Sequence, residues 1–458
     1  MKVPTMPPTA LPTSSIDVPG LLEDLQQAAL KAGADAVDIL HMGEASQSVR
    51  VRNGKVDSVS ASEAAQIGLR LFIGKRQAMV ASTDFSAAAR TELVSRAVSM
   101  ARLSPEDPFC GIAAPDEIIT RIPALDIFDA SRPTTDELVQ RTIAMEAAAL
   151  NVSGVTNTDE AEGGWGSMAV HIRLSNGFSG GYQRSHNGLS VSVIAGQDTA
   201  MERDYDYTSA IYAADMQSPE TIGRQAGERA VKRLGARKMP TGKLPIIFEP
   251  RVAASFIGHL VGAINGSAIC RGTSFLQNAM GQQIFATGIT ITDDPLRAHG
   301  LRSRPFDAEG IATTPKQLIA EGVLTSWLLD LRAARQLGLK STGHASRGAS
   351  SPPSASPSNI SIGAGKLGPK ELIQDIKQGF YVTELIGMGV NGVTGDYSRG
   401  AAGFWIENGV IAHPVNEITI AGNLKDMFAN MTAANDLELK LERNAPTLRI
   451  EGMTVAGL

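Results

Sequence analysis

Apolar and polar positions along this chain change period several times, and each change marks an element. Leu21, Leu22, Leu25, Ala28 and Ala29 recur at helical spacing, with Gly33 following as a left-handed cap. Beyond Val37 to Leu40 the pattern turns to strands around Asn53-Gly54, a two-residue hairpin signal because both positions tolerate positive φ; it sets Val51 opposite Val56. A second strand pair, Ile67 to Ile73 and Gln77 to Ala81, turns at Gly74-Lys75. A helix from Ser86 to Leu103 directs Leu93, Val94, Ala97, Met100 and Ala101 inward. Residues 104–133 are rich in Pro and Asp and read as a linker. The first pattern then returns. Thr134 and Glu137 form a capping box for a helix to Leu150, and Val170, Ile172 and Leu174 alternate toward a turn at Asn176-Gly177. Strands at Phe178 to Tyr182, Leu189 to Ile194 and Thr199 to Arg203 precede a helix with Ser218 as N-cap, Pro219 at its first position and Gly235 at its end. Helix, four strands, helix, twice over, is what a duplication produces; two unrelated hairpin units would look the same.

The remainder is organised differently. An apolar strand, Leu244 to Phe248, runs through Pro250 into a helix that is apolar nearly all round, with Val252, Phe256, Leu260 and Ala263 on one face and Ala253, Ile257, Val261 and Ile264 beside them. Strands are expected at Gln282 to Ile291 and at Lys316 to Leu329, the latter folded at Glu321-Gly322. A short helix, Asp330 to Leu337, stops at Gly338, and the low-complexity run Ser346 to Ser358 reads as an exposed loop. Helices are expected at Pro369 to Gln378 and Leu424 to Ala433, and strands at Phe380 to Ile386, Phe404 to Ile411 (with its Asn408-Gly409 turn) and Leu448 to Ile450. Hairpins with few intervening helices predict an α+β fold with mainly antiparallel sheet, not a doubly wound parallel one. The expected division is a flexible tail (1–15), an α+β unit (16–103), a linker (104–133), a second α+β unit (134–235) and a hairpin-rich C-terminal domain (240–458).

Composition narrows the class of function. The chain has 458 residues, 43% hydrophobic and 19% charged, enough for two or three packed domains. A formal charge of -5 without a dense Lys/Arg run argues against a nucleic-acid surface. No stretch approaches the ~20 apolar residues that span a bilayer. The first fifteen residues lack the apolar run of a signal peptide. Cys110 and Cys270 make neither a disulfide framework nor a C-x-x-C pair, so a reducing cytoplasm is the expected location.

Candidate chemistry is thin. A zinc-peptidase helix places two His on one face to hold the metal and a Glu beside them to take a proton from bound water. The helix after Pro250 offers only His259, the pattern of a hydrogen-bonded core histidine. Gly387, Gly389 and Gly392 match G-x-G-x-x-G, but no helix follows to hold a pyrophosphate. The run Asn391 to Gly409 packs Asp396, Tyr397, Ser398, Arg399, Phe404 and Trp405 among glycines, as a peptide-binding sheet edge or a tight loop at a barrel rim would. Ser341 to Gly348 (STGHASRG) sets His344 and Arg347 among small residues. A Ser-His-Asp set could be drawn from Ser341, His344 and Asp396, yet no G-x-S-x-G elbow exists.

Four strings in the third region carry a resemblance: DDPLRAHGLRSRPFDAEG (Asp293 to Gly310), STGHASRG, NGVTGDYSRGAAGFWIENG and PVNEITIAGNLKDMF (Pro414 to Phe428). With VRVRNGKVDSVS near the N-terminus, the chain resembles the TldD/PmbA family over nearly its whole length, in the PmbA branch, also called TldE. The resemblance implies a cytoplasmic two-subunit protease in which TldD carries zinc on H-E-x-x-x-H and a later cysteine, while TldE is its metal-free partner. Aligning that motif puts Gly258 and Ala263 where the two His would stand and His259 where the Glu would; no cysteine follows Cys270. The expectation is therefore a non-catalytic subunit with no cofactor of its own, forming half the wall of a peptide-degrading chamber beside a zinc-bearing TldD-like partner; whether the isolated chain is a homodimer stays open. His344, Arg347, Asp396, Tyr397, Ser398 and Arg399 are the expected lining. The rivals are a metal-free hydrolase using Ser341 or Ser398 with His344, and a peptide-binding or regulatory protein, the class to which the family's label of DNA-gyrase modulator points.

Overall fold

The computed structural model describes residues 16–457; the expected tail at 1–15 lies outside them. In chain order the first half comprises α1 (Val18–Lys31), β1 (Ala36–Arg52), β2 (Lys55–Ile73), β3 (Arg76–Ser82), α2 (Ala87–Leu103), α3 (Thr135–Leu150), β4 (Val155–Leu174), β5 (Ser179–Ala195), β6 (Glu202–Ala210) and α4 (Pro219–Lys232). The local signals act as their chemistry dictates. Thr134 and Glu137 close a reciprocal capping box, Ser218 caps α4 with Pro219 behind it, and Asn53 and Gly54 take φ of 53° and 71°, pairing Val51 with Val56.

Each half-unit holds three long strands between two helices instead of the four expected. β1 runs without a break from Ala36 to Arg52, because its polar outer half is held by β2 on one side and β4 on the other. The two units are one sheet, ordered β3-β2-β1-β4-β5-β6, antiparallel throughout, with His41 of β1 opposite His171 of β4. This mirrored order is the arrangement a duplicated unit produces. Helices cover one face only: α1 and α2 bury Leu22, Leu25, Val94 and Ala97 against Val37, Ile39, Leu69 and Leu71, while α3 and α4 bury Met145, Ala149, Ile222 and Ala226 against Leu189, Val191 and Val193.

The second half contains β7 (Gly242–Phe248), α5 (Pro250–Ala253), α6 (Ser255–Ala263), α7 (Gly266–Arg271), β8 (Ile291–Asp293), β9 (Lys316–Ala320), β10 (Val323–Leu324), α8 (Leu331–Leu337), β11 (Ala345–Ser346), β12 (Ser354–Ala355), β13 (Ile360–Ile362), β14 (Gln378–Ile386), β15 (Asp396–Glu407), β16 (Val410–Asn423), α9 (Leu424–Ala429), β17 (Met431–Ala433), β18 (Arg443–Asn444) and β19 (Leu448–Ala456). Strands β7, β14, β15, β16 and β19 close on themselves, since β16 pairs with both β15 and β19. The barrel is antiparallel apart from β7 beside β14. α6 shares its apolar cluster, with Phe256, Ile257 and Leu260 packed among Phe248, Phe380, Ile420 and Ile450.

Several expectations fail here; the helix expected over Leu424 to Ala433 ends at Ala429, and Met431–Ala433 form β17. Most of Gln282 to Ile291 is irregular, with β8 beginning only at Ile291. Pro369 to Gln378 forms successive turns, not a helix; Ile373 and Ile376 still bury, against Ile247 and Ile406. The loop Ser346 to Ser358 is not exposed as a whole. β11 and β12 pair within it, and Ala349, Ala355 and Ser358 are buried. Its tip lies over β2 because Gly68 has no Cβ: one built there would stand 1.9 Å from the Ala349 carbonyl oxygen.

The face of the N-terminal sheet away from the helices packs on the second half. Leu40, Val170, Ile172 and Phe178 meet Phe306 there. Beside them lies a buried ionic joint. Asp38 accepts from Arg70 at 2.7 and 2.9 Å and pairs with Arg347, and the Arg70 guanidinium approaches Glu309 at 3.8 Å. Asp38 and Arg70 belong to the sheet, Glu309 and Arg347 to the C-terminal half. No helix among the described residues is long and apolar enough to cross a membrane.

Candidate functional site

The helix after β7 is where metal chemistry would sit, and its surroundings decide what it can do. Pro250 starts α5 directly from the strand, and Phe248 meets Phe256 edge-to-face at 4.9 Å between ring centroids. Phe256 stacks on Tyr397 of β15 at 6.1 Å, and His259 lies edge-on to the same ring at 5.8 Å. The His259 Nε2 is buried and has no hydrogen-bond partner among the described residues. Burial, with the nearby Arg399 guanidinium, pulls its pKa down to about 4, so the ring is neutral at pH 7.

The other side of this helix faces a cleft of about 930 Å³ between the free edge of β6 and the C-terminal half. Tyr207, Glu249, Arg251, Arg297 and Arg443 are among its lining. Arg251 is fixed by Glu249 at 2.6 Å and Asp204 at 2.9 Å, and its guanidinium lies over the Tyr205 ring at 4.9 Å. Burial raises the Glu249 carboxyl above its ordinary value, against the pull of Arg251. Gly258 opens toward Arg443: a Cβ at Gly258 would stand 3.4 Å from the Arg443 Nη1.

A divalent cation does not fit this arrangement. Gly258 and Ala263 bring no donor, the Nε2 of His259 is enclosed in aromatic packing, and the nearest charge to Gly258 is a guanidinium. Among the described residues no three His, Cys, Asp or Glu side chains converge in a way that could hold a metal ion.

The expected lining residues separate into two groups that share no contact. His344 is 3% exposed; its Nε2 lies 3.2 Å from Asp293 and its Nδ1 2.7 Å from Thr342. Ser358 donates to the same Asp293 through its main-chain N and its Oγ, so Asp293 ties the His344 and Ser358 segments to β8. Arg347 is fully enclosed in the joint with Asp38. Neither lines the cleft beside the helix. In the second group the alternation of β15 divides the side chains: Asp396 and Ser398 are exposed, while Tyr397 is buried and Arg399 half-buried. Asp396 accepts from Thr394 at 2.6 Å and Asn423 at 3.1 Å, which holds its carboxyl below the ordinary value. The hydrolase set is not assembled, because Ser341 bonds Leu329 and Gly343 while His344 bonds Asp293 and Thr342. The cleft residues Glu249, Arg251, Arg297 and Arg443 are not legible as a site in the sequence, since they come from three separate segments. Asp307 and Glu309 lay inside the quoted string Asp293 to Gly310, where two carboxylates within an otherwise apolar turn were the available signal.

An unpartnered imidazole nitrogen in apolar packing costs stability, on the order of 1–3 kcal/mol. His259→Leu is therefore expected to leave the fold intact and raise the denaturation midpoint. A functional role would show instead as lost activity at unchanged stability.

Residues 37–101, 128–234 and 241–457 match, in turn, domain 1, the central domain and the C-terminal domain of the PmbA/TldA metallopeptidases. The chain is 38% identical to the metalloprotease PmbA of Escherichia coli O157:H7 over 95% of its length and 96% of that protein's, and 32% identical to a PmbA homologue of Haemophilus influenzae over 94% of each. Among solved structures, a proposed DNA-gyrase modulator from Bacteroides thetaiotaomicron superposes with a TM-score of 0.89 at 26% identity, covering 97% of this chain and 100% of that one. TldE of Thermococcus kodakarensis shares the fold, with a TM-score of 0.85 at 20% identity over 95% of this chain and all of its own. The chain belongs to the PmbA/TldA metallopeptidase family.

Proposed function

We propose that this chain is the non-catalytic subunit of a TldD/TldE-type cytoplasmic metalloprotease that processes or degrades small or unfolded peptides. The observation that carries the reading is at the motif-aligned positions on α6, where Gly258 faces a guanidinium and His259 is packed against Tyr397. A metallopeptidase fold whose own helix cannot hold the ion needs a second subunit to supply it. In this reading a TldD-like partner brings the zinc, which activates water for peptide hydrolysis, and the present chain contributes wall. The acidic balance of the chain, -5, disfavours direct contact with DNA.

The test is zinc content and peptide or casein cleavage, measured on the chain alone and then with a TldD-type subunit. The chain alone should bind no stoichiometric zinc and cut nothing; the mixture should cleave, and a chelator should abolish cleavage. Stoichiometric zinc held by the isolated chain, or cleavage by it in the presence of chelator, overturns the proposal.

A further inference from the structure

Most charges in the cleft beside α6 neutralise one another; those of Arg297 and Arg443 do not. Arg251 is held by Glu249 and Asp204, Arg229 by Asp206 at 2.8 Å, Lys440 by Glu438 at 2.5 Å and His299 by Asp215 at 2.6 Å. Arg297 and Arg443 line the same cleft, and neither is in an ion pair among the described residues. Arg297 is half-buried, and its Nη2 donates to the Leu441 carbonyl at 2.8 Å, on the segment that carries Arg443. Burial pulls the Arg297 pKa below its ordinary value, against Asp294. Guanidinium groups left without a counter-charge in a partly dehydrated cleft are suited to a carboxylate that arrives from outside.

The β6 wall of the cleft says what that carboxylate is attached to. Beyond the end of β6, Ser185 of β5 donates its main-chain N to Ile127 on the side where β6 lies, so the odd-numbered residues of β5 bond toward β6, and Asp206 and Thr208, opposite Val191 and Leu189, face β5. Tyr205, Tyr207 and Ser209 therefore turn their N–H and C=O groups outward. Arg251 closes the first of these by donating to the Tyr205 carbonyl at 2.7 Å. Tyr207 and Ser209 line the cleft, and their outward main-chain groups bond nothing among the described residues. Such groups in strand geometry pair with an extended peptide whatever its sequence. Burial, then Tyr205 and Glu442, raise the Tyr207 phenol, so negative charge already lies at the β6 end of the cleft; an incoming carboxylate is steered to the other end, where Arg443 stands beside Gly258. We infer that this cleft holds the C-terminal end of an extended peptide, its main chain paired with Tyr207 and Ser209 and its free carboxylate on Arg443 and Arg297. The inference goes beyond the protease reading, since it needs neither a zinc-bearing partner nor cleavage.

The test uses the full chain without a partner and an N-terminally fluorescein-labelled hexapeptide of alternating serine and alanine, read by fluorescence anisotropy. The free-acid peptide should bind roughly tenfold or more tighter than the same peptide ending in an amide, the discrimination expected of a charge-assisted bond. Arg443→Met should lower the acid to the affinity of the amide, and Arg443→Lys should keep part of the difference. Arg443 is exposed, so both variants should hold the wild-type denaturation midpoint. N-methylation of alternate peptide nitrogens should weaken acid and amide alike, because it removes donors to the β6 edge. Acid and amide bound equally, neither bound at millimolar concentration, discrimination that survives Arg443→Met, indifference to N-methylation in both registers, or acetate displacing the peptide at the peptide's own concentration overturns the inference. Any of these alongside intact cleavage by the mixed subunits leaves the protease reading standing, so the two proposals fail separately.

Discussion

Asp38→Ala is expected to be the most destabilising single substitution at the junction of the two halves, by ~3–5 kcal/mol. The carboxylate is fully buried, takes both Arg70 bonds and pairs with Arg347, whose side chain is likewise 0% exposed. Its removal leaves two enclosed guanidinium groups with one carboxyl, Glu309, at 3.8 Å from Arg70. Arg347 has little to fall back on, because its Nε and Nη1 already have no partner among the described residues. Denaturant unfolding of wild type and variant measures the difference. The reading has an internal control: Asp38→Ala/Arg347→Met removes one stranded charge together with its partner and should recover a large part of the loss, as replacing a buried pair by apolar groups does elsewhere. A double variant no more stable than Asp38→Ala would show that the loss comes from packing and not from the stranded charge.

This joint also shows where sequence reasoning ran out. The elements whose causes are local were readable: the Asn53-Gly54 hairpin, the Thr134 box, the Ser218-Pro219 start and the left-handed Gly338 all obey nearest-neighbour chemistry. Closure of the barrel through β16 and β19 is not local, and nothing in either strand announces it. The turns at Pro369 to Gln378 have helical apolar spacing because Leu372, Ile373 and Ile376 must reach the core, a requirement that turns meet as well as a helix does. His344 and Arg347 stand among small neighbours as candidate lining, yet the structure encloses both in buried pairs. Their partners, Asp293, Ser358 and Asp38, lie at distances along the chain where sequence pattern carries no information. The sequence does carry one signal of the joint: Asp38 interrupts the apolar run of Val37, Ile39 and Leu40, and a charge in a buried strand needs a buried counter-charge. The degenerate motif on α6 was legible because absent donors are visible in sequence; Arg443 facing Gly258 was not, being held on β18.

The same joint should make stability fall as pH rises. Glu309 is 3% exposed; burial and then the Asp307 carboxylate push its pKa from 4.5 up to about 8, with Arg70 pulling the other way. The groups facing it are few. Burial raises Asp307 too, to about 6, while the main-chain N–H bonds it accepts from Ile311, Glu309 and Ala345 hold it below Glu309; Asp330 caps α8 through the Ala333 N; and Leu331 donates its main-chain N to Glu309 itself. Glu309 is thus the member of the pair that keeps its proton. A carboxyl whose folded value is raised contributes stability in full below its unfolded value and loses it through the folded value, so this contribution declines between pH 4.5 and about 8. At ~1.4 kcal/mol per unit the decline amounts to a few kcal/mol. His41 and His259, both pulled down to about 4 by burial, act in the opposite sense and lower stability only as pH falls below 6.5; His299, raised by its bonds to Asp215 and Asp126, acts in the same sense as Glu309, and a Glu309 variant separates the two. Glu309→Gln keeps the shape and the acceptor for the Leu331 N–H without the proton, so it should be near wild type at pH 4 and gain a growing advantage from there to pH 8.5. Denaturation midpoints for the two proteins that run parallel across that interval would mean that Glu309 is ionised in the folded protein, balanced by Arg70, and that the joint is held by two full ion pairs instead of one pair and a neutral acid.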